Sequence, residues 1–178
     1  MSVSSDSHLS PLTSHLLPHQ DTHGWLLMAA VAHTMDGLPP VLELGCGSGS
    51  TAYLHWLLEG SGRKLLSCDN NREWLEGFAK TLAGGFHEFR HVPDWKTFDP
   101  PWDGAWGVCL IDHAPGEERP LALDAIRNSC QVIVIHDTDG PGYGMEALMN
   151  TMRYRFDDRR RRPWTAAVSN VDDLRWMR

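Results

Sequence analysis

Four cysteines, none of them in a C-x-x-C pair, give no basis for a zinc cluster or a disulfide framework. Cys46, Cys68, Cys109 and Cys130 are scattered, and three lie in or beside apolar runs, where a free thiol behaves as a small buried hydrophobe. That usage fits a reducing, cytoplasmic compartment. Long hydrophobic runs are missing too: the longest, Trp25 to Ala32, falls far short of the roughly 20 residues a membrane span needs. Met1 is not followed by a basic start and an apolar h-region, so no secretory signal is expected. Positive charge is scarce as well. With 16 Lys and Arg against 23 Asp and Glu, the net charge is −7 with His neutral, which argues against a general nucleic-acid binder.

What is present reads as an ordinary globular domain: 178 residues, 42% hydrophobic and 22% charged. Residues 1–19 are rich in Ser, His and Pro and read as a mobile arm or lid, with 20–178 as the domain. Five of the ten His residues, His8, His15, His19, His23 and His33, lie in the first 33 positions. Asp21 and Thr22 are N-cap types for an apolar helix from Trp25. Short apolar strands then alternate with helices: strands at 41–44, 64–68, 88–92, 105–111 and 131–135, helices at 51–59, 73–83, 121–128 and 145–154. Pro163 to Ser169 and Leu174 to Met177 read as a final pair of strands.

This alternation predicts an α/β fold, a single Rossmann-like doubly wound domain. Its sheet would be mostly parallel, with six or seven strands and helices on both faces. Ligands of such sheets bind at the carboxyl ends of the strands. Glu43, Asp69, Asp112, His136 and Asp137 all end strands and would line that one edge.

Glu43-Leu-Gly45-Cys-Gly47-Ser-Gly49 follows the first strand directly. Glycines there allow a tight turn and let a ligand lie against bare backbone at a helix start. A dinucleotide fingerprint would need Gly where Ser50 stands, and Glu43 is ill suited to pyrophosphate. It suits a ligand of positive charge, such as a sulfonium bearing an α-amino group.

From about Gln20 onward the sequence resembles the class I S-adenosylmethionine-dependent methyltransferases, with Val41 to Gly49 similar to the family's first motif. The resemblance implies S-adenosylmethionine held by Glu43, Gly45, Cys46, Gly47 and Gly49, with Asp69 and Asn70 at the ribose. It further implies Asp94 and Trp95 near adenine and Asp112 at the cofactor. Leu-Ile-Asp112-His113 and Ile-Val-Ile-His136-Asp137-Thr138 resemble a branch of small-molecule and sugar O-methyltransferases that hold a divalent cation at these strand ends. Asp112, Asp137 and His136 would then be ligands of magnesium or another divalent ion, which lowers the pKa of an acceptor hydroxyl and fixes its position. A metal-free route would use His113 or His136 as general base, with Asp112 beside them.

The implied acceptor is a small molecule. Gly140 to Gly144, with Tyr143, would edge its pocket, and Gln20 and His23 could close over the cofactor. A homodimer in which one arm covers its neighbour's site is allowed. Two other classes stay open: a nucleobase or protein methyltransferase, signalled by Asp99-Pro-Pro-Trp102 or by Arg159 to Arg162, and a cofactor-binding module without its own catalysis. The arginine run itself reads as a solvated loop or as a seat for a phosphate-bearing substrate.

Overall fold

The computed structural model describes residues 22–100, 105–140 and 143–177; the arm at 1–19, Gln20, Asp21 and Trp102 lie outside them. Strands β1 (Val41–Leu44), β2 (Leu65–Asp69), β3 (His87–His91), β4 (Trp106–Ile111), β5 (Cys130–Ile135), β6 (Tyr154–Asp158) and β7 (Thr165–Ser169) form one sheet in the order β3-β2-β1-β4-β5-β7-β6. The first five run parallel, and β7 is antiparallel to both β5 and β6. Chain order switches direction between β1 and β4, where a doubly wound sheet opens a crevice at its carboxyl edge.

Every residue of β1, β2, β4 and β7 is buried, as strands covered on both faces require. On one face, Leu26, Leu27, Ala30 and Val31 of α1 (Gly24–His33) join Leu54 and Leu58 of α2 (Thr51–Leu58) over Val41, Leu65, Val108 and Val132. On the other, Leu123 and Ile126 of α4 (Arg119–Ile126) join Met145 and Met149 of α5 (Met145–Met149) over Leu42, Cys109, Ile111 and Ile133. Helix α3 (Arg72–Leu82) packs beside β2 and β3. Among the described residues no helix is long and apolar enough to cross a membrane.

Three expectations are corrected. The helix expected over 145–154 stops at Met149, and Tyr154–Asp158 is the edge strand β6, where aromatic and charged residues alternate with the strand period. Leu174–Met177 is a 3-10 turn rather than a strand. Ser169 Oγ accepts from Val171 N–H and Asp172 N–H and turns the chain off the sheet, and Asp173 Oδ1 accepts from Arg175 N–H. The residue capping α1 is His23, with no side-chain cap bond, because the Thr22 hydroxyl is engaged with His136 instead.

One buried cation joins α1 to the sheet. Arg63 donates to the carbonyls of Pro39 and Val31 at 2.8 and 2.9 Å and to Thr34 Oγ1 at 3.2 Å. Gly107 leaves room for it, since a Cβ there would come within 2.4 Å of the guanidinium. Arg63→Ala would strand two buried carbonyls and is expected to cost about 2–4 kcal/mol in urea unfolding. A loss below about 0.5 kcal/mol would contradict that role.

Candidate active site at the carboxyl edge of the sheet

Glycines shape the loop after β1. Gly45 has φ +100°, and a Cβ there would lie 2.5 Å from the His113 amide nitrogen and 2.6 Å from the Asp112 carbonyl carbon. Only glycine lets the β1 loop touch the end of β4. Glu43 lies wholly beneath this loop. Its carboxylate accepts from Thr51 Oγ1 at 3.0 Å and Ser67 Oγ at 2.6 Å, and Thr51 Oγ1 in turn accepts from Gly47 N–H at 2.9 Å. Burial, partly offset by these hydroxyls, pushes the Glu43 carboxyl up to about 7. The acid thus holds the loop from below, and its hydrogen-bonding capacity is directed to protein hydroxyls.

Asp69 closes the next side. Oδ2 accepts from Cys46 N–H at 2.8 Å and Oδ1 from Asn71 N–H at 2.7 Å, so the carboxylate is pinned with lone pairs left for further donors. The Asn70 carbonyl meets His91 Nε2 at 3.1 Å. On α3, Trp74 Nε1 donates to the Cys46 carbonyl at 2.7 Å, which adds an aromatic wall that the sequence reading missed. Asp94 caps a short 3-10 turn by accepting from Lys96 N–H at 2.9 Å. Trp95 is buried, stacks on His113 with ring centroids 4.0 Å apart and donates to the Ala114 carbonyl. It is the floor beneath this edge.

At the ends of β4 and β5 stands a residue the sequence reading passed over. Arg119, buried, donates from Nε to the His113 carbonyl at 2.8 Å, and its two terminal nitrogens donate to the His136 carbonyl at 2.9 Å and to Asp112 Oδ1 at 3.0 Å. It also lies 3.6 Å from Asp137 Oδ2. A cation in the first turn of a helix opposes the helix dipole, and that misfit with Pro120 beside it is the signal in the sequence. Asp137 has φ +56°, a left-handed conformation that Asp tolerates better than most residues and that is often found at functional sites.

His136 sits between these groups. Its Nδ1 is 3.2 Å from Asp112 Oδ1 and 3.5 Å from Asp137 Oδ1, and its Nε2 is 2.7 Å from Thr22 Oγ1. Burial disfavours the charged ring, but the hydrogen bond and charge of Asp112, with the charge of Asp137, outweigh it and raise the pKa above 6.5. His113 is the opposite case: burial and the Arg119 charge push it down to about 3, which leaves a neutral ring stacked in the floor. His23 meets His136 edge to face at 4.6 Å. Tyr143 is held between Gly116 and Gly140, where an added Cβ would come within 2.4 Å of its ring, and lies under Arg119.

The glycine loop, the pinned Asp69 carboxylate and the bare backbone at Gly47 fit S-adenosylmethionine. The Asp112–Asp137 pair is a poor seat for a hard divalent ion, because the Arg119 guanidinium is bonded to Asp112 Oδ1 at 3.0 Å and stands 3.6 Å from Asp137 Oδ2, which places a cation where the ion would have to sit. His23, Asp112 and His136 offer ligand atoms within 4.8 Å of one another, a set with two imidazoles that suits a softer ion.

No protein-family model matches the sequence, and no curated protein matches it either. Solved structures do. A candidate O-methyltransferase from Klebsiella pneumoniae superposes with a TM-score of 0.63 at 17% identity, over 90% of this chain and 86% of that one. The O-methyltransferase TomG from Streptomyces achromogenes, involved in tomaymycin synthesis and solved with S-adenosylmethionine, gives 0.58 at 18% identity, over 89% and 88%. A candidate rRNA methylase from Clostridium thermocellum gives 0.59 at 14% identity, over 81% and 97%. The chain has the fold of the class I S-adenosylmethionine-dependent methyltransferases. At these identities the fold is what is shared.

Because the folded Glu43 carboxyl binds its proton more tightly than the unfolded one, its contribution to stability is full below pH 4.5 and declines as pH rises to about 7. Glu43→Gln removes this dependence. Between pH 5 and 8 the variant is expected to gain on the order of 2–3 kcal/mol relative to wild type in urea unfolding. Parallel pH profiles would contradict the assignment.

Proposed function

We propose that the protein transfers a methyl group from S-adenosylmethionine to a hydroxyl of a small molecule, with His136 as general base. The observation that carries this reading is the contact of Gly45 with the Asp112–His113 peptide, which sets a cofactor-type loop against an acid–base pair. S-adenosylmethionine supplies, when bound, a methyl group on a positively charged sulfur that leaves as a neutral thioether.

The chain's own residues do the rest. Asp112, fixed by Arg119, accepts from Nδ1–H of His136 and so directs the Nε2 lone pair outward. Thr22 Oγ1, at 2.7 Å from Nε2, occupies the position an acceptor hydroxyl would take. The hydroxyl proton passes to His136 Nε2 while the oxygen lone pair is freed for the methyl carbon. Asp137 steadies the imidazolium that results, 3.5 Å from Nδ1. Gly45, Cys46, Gly47 and Gly49 form the cofactor cradle, held from below by Glu43, with Asp69 and Asn70 at the ribose and Asp94 at the adenine end.

A second reading places a divalent transition ion on His23, Asp112 and His136, supported by the closeness of their ligand atoms. The two readings separate in one experiment. Release of S-adenosylhomocysteine is followed with a panel of hydroxylated small molecules, for wild type, wild type with EDTA, and His136→Ala. The proposal expects turnover that EDTA leaves intact and that His136→Ala slows by about 100-fold. Loss on chelation, restored by zinc or manganese, would instead favour the metal reading. Full activity in His136→Ala would overturn both.

A further inference from the structure

The basic run Arg159 to Arg162 has no part in the chemistry above, yet the topology gives it a place. Residues 159–164 form the turn between β6 and β7. Since β7 is antiparallel to β5, with Ala166 opposite Ile135, that turn lies at the same edge as His136 and Asp137. It is fastened to the loop beyond Asp137. Thr138 N–H donates to the Trp164 carbonyl at 3.0 Å, and Trp164 N–H donates to Asp139 Oδ1 at 2.7 Å.

Within the turn, the guanidinium groups of Arg159 and Arg162 lie 4.9 and 5.1 Å from the Trp164 ring centroid. An aromatic face steadies a guanidinium without using its N–H donors. Nearby carboxylates claim little of them: Arg159 is 3.8 Å from Asp157 Oδ2 and Arg162 is 3.5 Å from Asp139 Oδ2, with side chains 57% and 76% exposed. Arg161 is exposed and has no ion pair among the described residues. Arg160 is different. It bonds both oxygens of the buried Asp158 and lies over Trp25, so it braces the strand.

We propose that Arg159 and Arg162, set on Trp164 at the rim of the active site, and the exposed Arg161 between them bind a phosphate-like anionic group carried by the acceptor. The substrate class is therefore an anionic, hydroxylated small molecule. Guanidinium forks match tetrahedral oxyanions in a bidentate way, and their field reaches about 8–10 Å at physiological salt. A long polyanion is disfavoured, because the chain as a whole carries −7. The term acceptor rests on the methyl-transfer reading; the anion site rests on the turn alone.

Calorimetry on the full chain tests this, with inorganic pyrophosphate, a short single-stranded RNA and S-adenosylmethionine titrated separately. The proteins are wild type and the triple variant Arg159→Ala, Arg161→Ala, Arg162→Ala, all at exposed positions. The expected result is one pyrophosphate per wild-type chain, affinity at least about tenfold weaker in the variant, and equal S-adenosylmethionine uptake by both. No pyrophosphate uptake by wild type, or equal uptake by the variant, overturns the anion site. Arginine-dependent RNA binding tighter than that of pyrophosphate overturns the small-molecule assignment. If neither protein takes up S-adenosylmethionine, the methyl-transfer reading falls, and the identification of the anion as part of an acceptor falls with it.

Discussion

Arg119 ties the ends of β4 and β5 into one unit by donating to the His113 and His136 carbonyls and meeting Asp112 and Asp137 at 3.0 and 3.6 Å. A cation at this point offsets the repulsion between two carboxylates brought to one partly buried edge. The guanidinium bridges the two acids, and His136 is held between them at 3.2 and 3.5 Å. The same contacts decide the kind of chemistry this edge supports. An internal guanidinium occupies the point where the two acids converge, and in the proposed reaction the histidine beside them is the group that moves a proton.

The other half of the site depends on a buried acid. Glu43 grips Thr51 and Ser67, and through Thr51 the Gly47 amide, so the glycine loop is shaped from inside the sheet. Ser67 continues the chain of contacts to His87 Nε2 at 2.9 Å, and His87 Nδ1 meets His55 Nδ1 at 3.0 Å. Burial drives His87 down to about 3, so this relay is neutral where it passes through the core. The two halves meet at Gly45, where backbone touches backbone. Loop and acid–base pair are thus positioned by different networks that come together at Gly45 and at the Asp112 N–H to Leu44 carbonyl bond of 2.8 Å.

The strands and the edge were legible because buried parallel strands leave continuous apolar runs, and three of them, β2, β4 and β5, stop at a polar residue: Asp69, Asp112 and His136. The glycine spacing after β1 was legible for the same reason, since its backbone need is local. What the sequence did not reveal was long-range. Arg119 acts across two strand ends, and nothing adjacent to it in the chain names Asp112 or Asp137 as its partners. Thr22 reads as a helix cap until the fold brings His136 to it, 114 positions away. Trp95 reads equally well as a ligand contact or as core, and only the stack on His113 places it in the floor. Strand β6 was hidden because Tyr154 and Phe156 continue an apolar pattern begun in α5, so the change of period was blurred.

The central claim is that this edge of the sheet is built to hold S-adenosylmethionine. Calorimetric titration of the full chain, alongside Asp69→Ala, addresses it directly. The account predicts one binding site per chain in the wild type and a loss of about tenfold or more in the variant, which lacks the carboxylate that anchors the Cys46 amide and, in the proposed reading, would accept from the ribose. Absence of uptake by the wild type would contradict it.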